Sequence, residues 1–134
     1  MSKIYLDACI VIYCVEKHPI YSSKIEALFD ELDPGDLLCV SPLVRMECLV
    51  MPLRTNDEPL IANFEAFLGA QEMLGIRADI FEHATRIRAE YPSLKTPDAL
   101  HVATARHYGC NELWTNDDRL ARVAAGLNRN VVVG

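Results

Sequence analysis

The sequence lacks the segments that would direct a chain into or across a membrane. No apolar run reaches the roughly 20 residues that a membrane-spanning helix requires. The N-terminus has no basic segment followed by a signal-type apolar region and a cleavage site, since Asp7 interrupts the short apolar stretch at residues 4–15. We therefore expect a cytoplasmic protein that has no membrane partner.

Cysteine and histidine patterns that hold disulfides or zinc are also missing. The 5 cysteines include no C-x-x-C pair and have apolar neighbours, which favours buried thiols in a reducing compartment. The 4 histidines form no H-E-x-x-H or comparable ligand pattern. No Ser–His–Asp or Cys–His arrangement supplies a covalent nucleophile either.

An excess of positive charge is absent as well. The formal net charge of −6 at pH 7 argues against a protein that grips nucleic acid through a general positive field. A polyanionic substrate would instead need a bridging cation or a few local basic residues. Arg45 and Arg119 are candidates for such contacts.

What the sequence does contain is a regular alternation of strands and helices. Buried-type strands are predicted at residues 3–6, 37–40, 72–76, 112–115 and 131–133, with helices between them. This order predicts an α/β fold with a mostly parallel sheet and right-handed crossovers. At 134 residues the chain is expected to form a single domain, residues 1–134, without repeats or a second unit.

The stretch Thr96-Pro97-Asp98-Ala99-Leu100-His101 is the most specific signal in the chain. Thr96 is expected to cap a helix, and Pro97 suits the first helical position, where no N–H is needed. Asp98 then lies in the first turn, where the helix dipole stabilises a carboxylate. Taken alone, this pattern also fits an ordinary, well-capped buried helix.

Glu47 occupies an unusual position on the helix predicted to follow Ser41-Pro42. Its neighbours at the i±3 and i±4 positions are all apolar: Leu43, Val44, Val50 and Met51. A carboxylate within an apolar stripe is costly unless something pairs with it. Either a nearby arginine, Arg45 or Arg54, bonds Glu47, or the residue has a metal-binding or catalytic role.

Four carboxylates are predicted to converge on one edge of the sheet. Asp7 and Asp117 follow the first and fourth strands, Glu47 lies on the helix after the second strand, and Asp98 begins the helix before the fourth. Ligands in such sheets bind beyond the carboxyl ends of the strands, where the strand order reverses. Oxygen ligands of this kind suit Mg²⁺ or Mn²⁺, which can activate a water for attack on a phosphodiester.

At these residues the chain resembles PIN-domain ribonucleases, and in particular the single-domain VapC toxins of bacterial toxin–antitoxin pairs. The matching pieces are Ile4-Tyr5-Leu6-Asp7, Ser41-Pro42 with Glu47, the Thr96–His101 stretch with Ala103-Thr104-Ala105, and Leu113-Trp114-Thr115-Asn116-Asp117. The resemblance covers essentially the whole chain.

The resemblance implies an endoribonuclease whose acidic metal site consists of Asp7, Glu47, Asp98 and Asp117, with Thr115 as a polar supporting residue. It also implies a five-stranded sheet with the first strand at the centre, homodimerisation, and an antitoxin that wraps the toxin and blocks its pocket. RNA is the implied substrate, and Mg²⁺ or Mn²⁺ the implied cofactor.

The sequence departs from this pattern at one position and leaves others open. Cys9 stands where the family often has a small hydroxyl or amide residue, and a thiol is a poorer support for a hard metal. Asp118 adjoins Asp117, so either could be the fourth carboxylate, although strand geometry favours Asp117. His101 follows Asp98 by one helical turn, and we interpret it as supporting or structural rather than catalytic.

Two other functions compete with a nuclease. A non-catalytic interaction module of the same PIN fold would retain the carboxylates but act by binding a partner. A phosphoryl-accepting receiver domain would need adjacent acidic residues near the end of its first strand and a lysine after its fifth. This chain has Asp7 alone at the first place and no lysine after Lys95, so the receiver interpretation is set aside.

Overall fold

The computed structural model describes residues 1–124 and 128–130. Five strands form one parallel sheet: β1 (Lys3–Leu6), β2 (Leu37–Val40), β3 (Glu72–Met73), β4 (Glu112–Thr115) and β5 (Asn128–Asn130). Their order across the sheet is β3-β2-β1-β4-β5. The predicted α/β fold and the central position of the first strand are therefore confirmed.

Seven helices accompany the described strands: α1 (Ala8–Val15), α2 (Tyr21–Asp30), α3 (Pro42–Arg54), α4 (Glu58–Gly69), α5 (Ala78–Glu90), α6 (Thr96–His107) and α7 (Asp118–Val123). They form two packed groups that flank the sheet. Helix α1 contacts α2, α3 and α4, whereas α6 contacts α5 and α7. No helix among the described residues is long and apolar enough to cross a membrane.

The core is centred on strand β1 and its two neighbours. Ile4, Tyr5 and Leu6 have no exposed surface, and neither do Leu113 and Trp114 of the adjacent strand β4. A parallel strand covered by helices on both faces is buried along its whole length, which is why these segments are almost entirely apolar. The burial fixes where each strand ends, and so fixes the polar residue that follows it.

The strand order reverses beside β1, and this creates the crevice in which a site can form. The chain runs outward from β1 through β2 to β3, then returns to pair β4 with the other side of β1. The backbone N–H of Asp7 donates to the carbonyl of Trp114 at 3.0 Å, so the ends of β1 and β4 lie together. A crevice beyond the carboxyl ends of two such strands is where open α/β sheets bind ligands.

The outer strands differ most from their predicted bounds. Strand β3 ends at Met73 rather than at residue 76, although the N–H of Leu74 still donates to the carbonyl of Val40 at 2.8 Å. The predicted final strand at residues 131–133 lies outside the described residues, and the strand that pairs with β4 is Asn128–Asn130. Edge strands pair on one side only, so their sequences carry a weaker signal.

Candidate functional site

Asp7 lies at the end of the central strand and caps the helix that follows. Its Oδ1 accepts the N–H of Ala8 at 2.8 Å, while its Oδ2 accepts the hydroxyl of Thr115 at 2.8 Å and faces the Sγ of Cys9 at 3.7 Å. The residue is only 8% exposed. Three donors from two neighbouring elements therefore hold the carboxyl group in one orientation at the mouth of the crevice.

Glu47 projects from helix α3 and contacts a histidine rather than an arginine. Its Oε1 lies 2.6 Å from the Nε2 of His101. The predicted cap of this helix is confirmed, since the Ser41 hydroxyl accepts the N–H of Val44 at 3.3 Å. Arg45 instead pairs with Glu65 at 2.9 Å, so the alternative pairing with Arg45 is wrong.

Through His101, Glu47 is connected to a buried chain of hydrogen bonds. The hydroxyl of Tyr5 lies 2.6 Å from the Nδ1 of His101 and 2.8 Å from the Oγ of Ser41, and all three residues are completely buried. Burial raises the pKa of the Tyr5 hydroxyl well above its ordinary value, so the phenol keeps its proton at neutral pH.

One arrangement of protons satisfies every donor in this chain. Ser41 accepts the N–H of Val44 and donates to Tyr5, Tyr5 donates to Nδ1 of His101, and the Nε2–H of His101 donates to Glu47. A bare Nε2 would instead set its lone pair against a carboxylate oxygen at 2.6 Å. The network therefore assigns the proton to Nε2.

Asp98 lies in the first turn of α6, half buried and among the other carboxylates. Its pKa is raised from 3.8 to about 6, first by burial and then by the negative charges of Asp117, Asp7 and Glu47, while His101 opposes the shift. Charges act in this way only over short distances. The charges of the other three predicted site residues therefore act on Asp98.

The predicted cap of α6 by Thr96 is wrong. The helix begins at Thr96 itself, after Lys95, and no side chain caps it. The hydroxyl of Thr96 accepts a hydrogen bond from Nη1 of Arg88 at 3.0 Å instead. Helix boundaries read from sequence are uncertain by a residue or two, and here the shift leaves Asp98 in the first turn as expected.

Thr115 at the end of strand β4, and Asp117 just after it, also belong to the candidate site. The Oδ1 of Asp117 caps α7 by accepting the N–H of Arg119 at 2.9 Å and that of Leu120 at 3.4 Å. Thr115 donates to the Asp7 carboxylate and accepts the backbone N–H of Asp117 at 3.0 Å, which links Asp7 to the backbone of Asp117. Of the adjacent pair 117 and 118, it is Asp117 whose charge acts on Asp98.

His101 is the residue whose importance the sequence understated. Asp7, Glu47 and His101 each offer a potential ligand atom within 4.8 Å of the other two. The spacing of His101 and Asp98, three residues apart on one helix, places both on the same face, and this signal was available in the sequence. Because its Nε2 carries a proton directed at Glu47, we interpret His101 as a donor that orients this carboxylate rather than as a metal ligand.

The donor set matches a hard divalent cation. The neighbouring carboxylates raise the pKa of Asp98, and such groups repel in the absence of a counter-charge, which Mg²⁺ or Mn²⁺ would supply. The buried thiols do not compete: burial raises the pKa of both Cys9 and Cys48 to about 12, so neither is a thiolate at neutral pH. The residues present therefore fit a cation held by oxygen ligands.

The chain belongs to the PIN domain family, whose model matches residues 4–126. This range contains all four carboxylates as well as Thr115 and His101. No curated protein sequence matches the chain closely enough to add to this assignment.

Solved structures share the fold at low sequence identity. VapBC2 from Rickettsia felis, bound to a promoter DNA fragment, is 18% identical with a TM-score of 0.80, covering 95% of this chain and 97% of that one. DNA-bound VapBC from Salmonella typhimurium is 23% identical with a TM-score of 0.78, and 96% of each chain is covered. VapC20 from Mycobacterium tuberculosis, described as a sarcin-ricin loop cleaving toxin, is 16% identical with a TM-score of 0.73, covering 89% of this chain and 93% of that one.

Proposed function

We propose that this PIN domain is a metal-dependent endoribonuclease and the toxin of a VapBC-type pair. The observation that carries the proposal is the convergence of acidic side chains at the end of strand β1, where ligand atoms of Asp7, Glu47 and His101 lie within 4.8 Å of one another. The charges of Asp117, Asp7 and Glu47 also act on the half-buried Asp98. In this proposal the four carboxylates, from separate elements, lie at the crevice where open α/β sheets bind ligands. The likeness to VapBC structures supports the toxin assignment.

In this proposal Asp7, Glu47, Asp98 and Asp117 hold Mg²⁺ or Mn²⁺ between them. A bound ion of this kind supplies a water of lowered pKa and offsets negative charge on an RNA phosphodiester. The rest of the chain keeps the carboxylates in place. Thr115 and the N–H of Ala8 orient Asp7, and the Nε2–H of His101 orients Glu47.

Partner binding is the second part of the proposal. The solved structures of similar fold include VapBC complexes, which supports an antitoxin partner. In this proposal the antitoxin covers the pocket, and the toxin forms a homodimer. Helix α3 offers an apolar surface for such contacts, because several of its large side chains are between 45% and 57% exposed: Met46, Val50, Met51 and Leu53. Such a toxin would meet its RNA in the cytoplasm.

The proposal is tested by incubating the purified protein with structured and single-stranded RNA. Cleavage should require Mg²⁺ or Mn²⁺, stop in EDTA, and return when the metal is added back. Asp7→Asn and Glu47→Gln should each lower the rate by more than the roughly 10–100-fold typical of residues that only support a metal site. A folded protein that binds an antitoxin but leaves RNA uncut with either metal would instead be a non-catalytic interaction module.

A further inference from the structure

A second hollow lies next to the carboxylate crevice, between the segment that leads into α6 and helix α7. Its volume is about 310 Å³, and it is lined by Tyr91, Ser93, Leu94, Arg119, Arg122 and Val123. The segment that contains Tyr91 and Leu94 precedes Asp98 by a few residues, and helix α7 begins just after Asp117. The hollow is therefore bounded by the two elements that bring these carboxylates to the site.

Positive charge collects around this hollow although the chain as a whole is acidic, with a net charge of −6. Two arginines form hydrogen bonds with the backbone of its walls. Arg88 donates from Nε to the carbonyl of Leu94 at 2.8 Å, and Arg106 donates from Nη2 to the carbonyl of Val123 at 3.1 Å. These guanidinium groups fix the backbone of both walls and add their charge to the local field.

Two further arginines line the hollow itself. Arg119 and Arg122 lie three residues apart on α7, so they share one face of that helix. Both residues are exposed, and within the described part of the chain neither forms an ion pair with a carboxylate. The Nε of Arg122 donates to the carbonyl of Asp118 at 3.3 Å, a bond that leaves its terminal nitrogens available.

The hollow also offers an aromatic face above an apolar floor. Tyr91 is 40% exposed, whereas Leu94 and Val123 are 2% and 8% exposed. Exposed aromatic side chains stack on nucleobases, and one guanidinium group can donate two hydrogen bonds to the oxygens of a phosphate. An aromatic ring, a buried apolar floor and two guanidinium groups together suit a nucleotide better than a purely acidic peptide.

We propose that this hollow is a nucleotide subsite that holds single-stranded RNA beside the carboxylate crevice. The base stacks on Tyr91, and the flanking phosphates bind Arg119 and Arg122. A base becomes available for such stacking only when it is unpaired, so the subsite selects loops or single strands over intact duplex. The inference rests on the proposed ribonuclease function, since it identifies how an acidic protein retains its RNA.

The experiment measures the binding of a fluorescent, mixed-sequence 12-nucleotide RNA to the full chain carrying Asp7→Asn, which blocks cleavage, over a range of NaCl concentrations. If Arg119 and Arg122 each neutralise one phosphate, Arg119→Ala/Arg122→Ala should reduce the slope of log K against log salt by about 1.4. Tyr91→Ala should weaken binding roughly 5- to 150-fold, the range found for loss of one stacked base, and Tyr91→Phe should restore it. All three residues are on the surface, so thermal melts should show folded variants.

Arg54→Ala is the matched control, because Arg54 is an exposed arginine at the end of α3 that does not line the hollow. It should leave both affinity and salt slope unchanged. An unchanged slope in the double arginine variant, or an equal loss in the Arg54 control, would overturn the subsite. So would an oligoglutamate peptide that binds more tightly than the RNA, since the hollow would then belong to an acidic protein partner.

Failure of the subsite and failure of the ribonuclease proposal have different signatures. If the arginine and tyrosine variants bind RNA like the parent while the unsubstituted protein still cleaves it, the subsite is wrong and the nuclease stands. If RNA binding depends on these residues but no metal supports cleavage, the subsite stands and the catalytic proposal is wrong.

Discussion

The Nε2 of His101 lies 2.6 Å from the Oε1 of Glu47, and this contact joins the buried core to the rim of the carboxylate site. Glu47 is partly exposed on α3, where a free carboxylate would sample several rotamers. His101 has no such freedom, because Tyr5 and Ser41 hold its ring from behind. The contact therefore fixes one oxygen of Glu47, and in the proposed metal site the other oxygen would face the cation.

Substitution of His101 should affect metal binding through Glu47. His101→Leu removes the N–H donor, and we expect metal affinity or cleavage to fall roughly 10- to 100-fold. His101→Gln retains a donor near the same point and should lose clearly less. Tyr5→Phe keeps the ring volume but frees the histidine, so its effect should lie between the two; metal titration by calorimetry measures all three.

A direct metal–histidine bond would give different results. His101→Gln would then bind metal as poorly as His101→Leu, because the amide nitrogen is not a ligand. The ¹⁵N spectrum of the metal-free parent decides the point independently of activity: we predict a protonated Nε2, and a bare Nε2 would contradict the assigned network.

Asp98→Asn should reveal the repulsion within the metal-free site. The folded-state pKa of Asp98 is raised from 3.8 to about 6, so the folded protein binds more protons than the unfolded chain between these values. In EDTA, the stability of the parent should fall as pH rises from about 4 to 6 because of this group, and its contribution should level off above that window. The variant lacks this loss, so its melting temperature should overtake that of the parent as pH rises.

Bound metal should reverse the stability advantage that Asp98→Asn has over the parent in EDTA. Mg²⁺ or Mn²⁺ at a hundredfold excess over Kd should stabilise the parent by roughly 2.7 kcal/mol, and should stabilise Asp98→Asn much less. The variant also gives up a helix-dipole interaction worth about 0.3–1 kcal/mol. Equal metal-induced shifts in paired melts, or a clear destabilisation of the variant in EDTA above pH 6, would reduce Asp98 to a helix-start residue.

Cys9→Ser should maintain or improve the site. Burial, followed by the charge of Asp7, raises the pKa of the Cys9 thiol to about 12, so the group is a neutral and weak donor to Asp7 at 3.7 Å. A hydroxyl makes a shorter and stronger bond to a carboxylate. We expect metal affinity to rank Ser above Cys and Cys above Ala at position 9; a serine variant that binds metal less tightly than the alanine variant would contradict this role.

The sequence was sufficient to predict the central part of the fold. Strands β1, β2 and β4 are short, mostly apolar segments that are followed by polar residues, and the sequence predicts each with the bounds observed. Their order across the sheet came from the family resemblance, because no local pattern reports which strands pair. Strand β3 has two exposed residues and almost no hydrophobic signal, so its extent was not predictable.

The contacts within the site depended on tertiary structure. The sequence identified Glu47 as a carboxylate that needs a partner, but its partner lies 54 positions away on another helix. Thr96 illustrates the opposite case, since a residue with strong capping propensity bonds Arg88 instead. Local preferences are weak, and a hydrogen bond to a neighbouring helix overrides them.

The products of RNA cleavage test the central claim most directly. The protein should be incubated with a defined RNA and Mg²⁺ or Mn²⁺ in ¹⁸O-labelled water, and the new ends analysed by mass spectrometry. Direct attack by water predicts labelled terminal phosphates and free hydroxyls, no 2′,3′-cyclic phosphate, and no product in EDTA or with Asp7→Asn. Cyclic phosphate ends, or cleavage that survives EDTA, would contradict a carboxylate-held cation as the source of the attacking water.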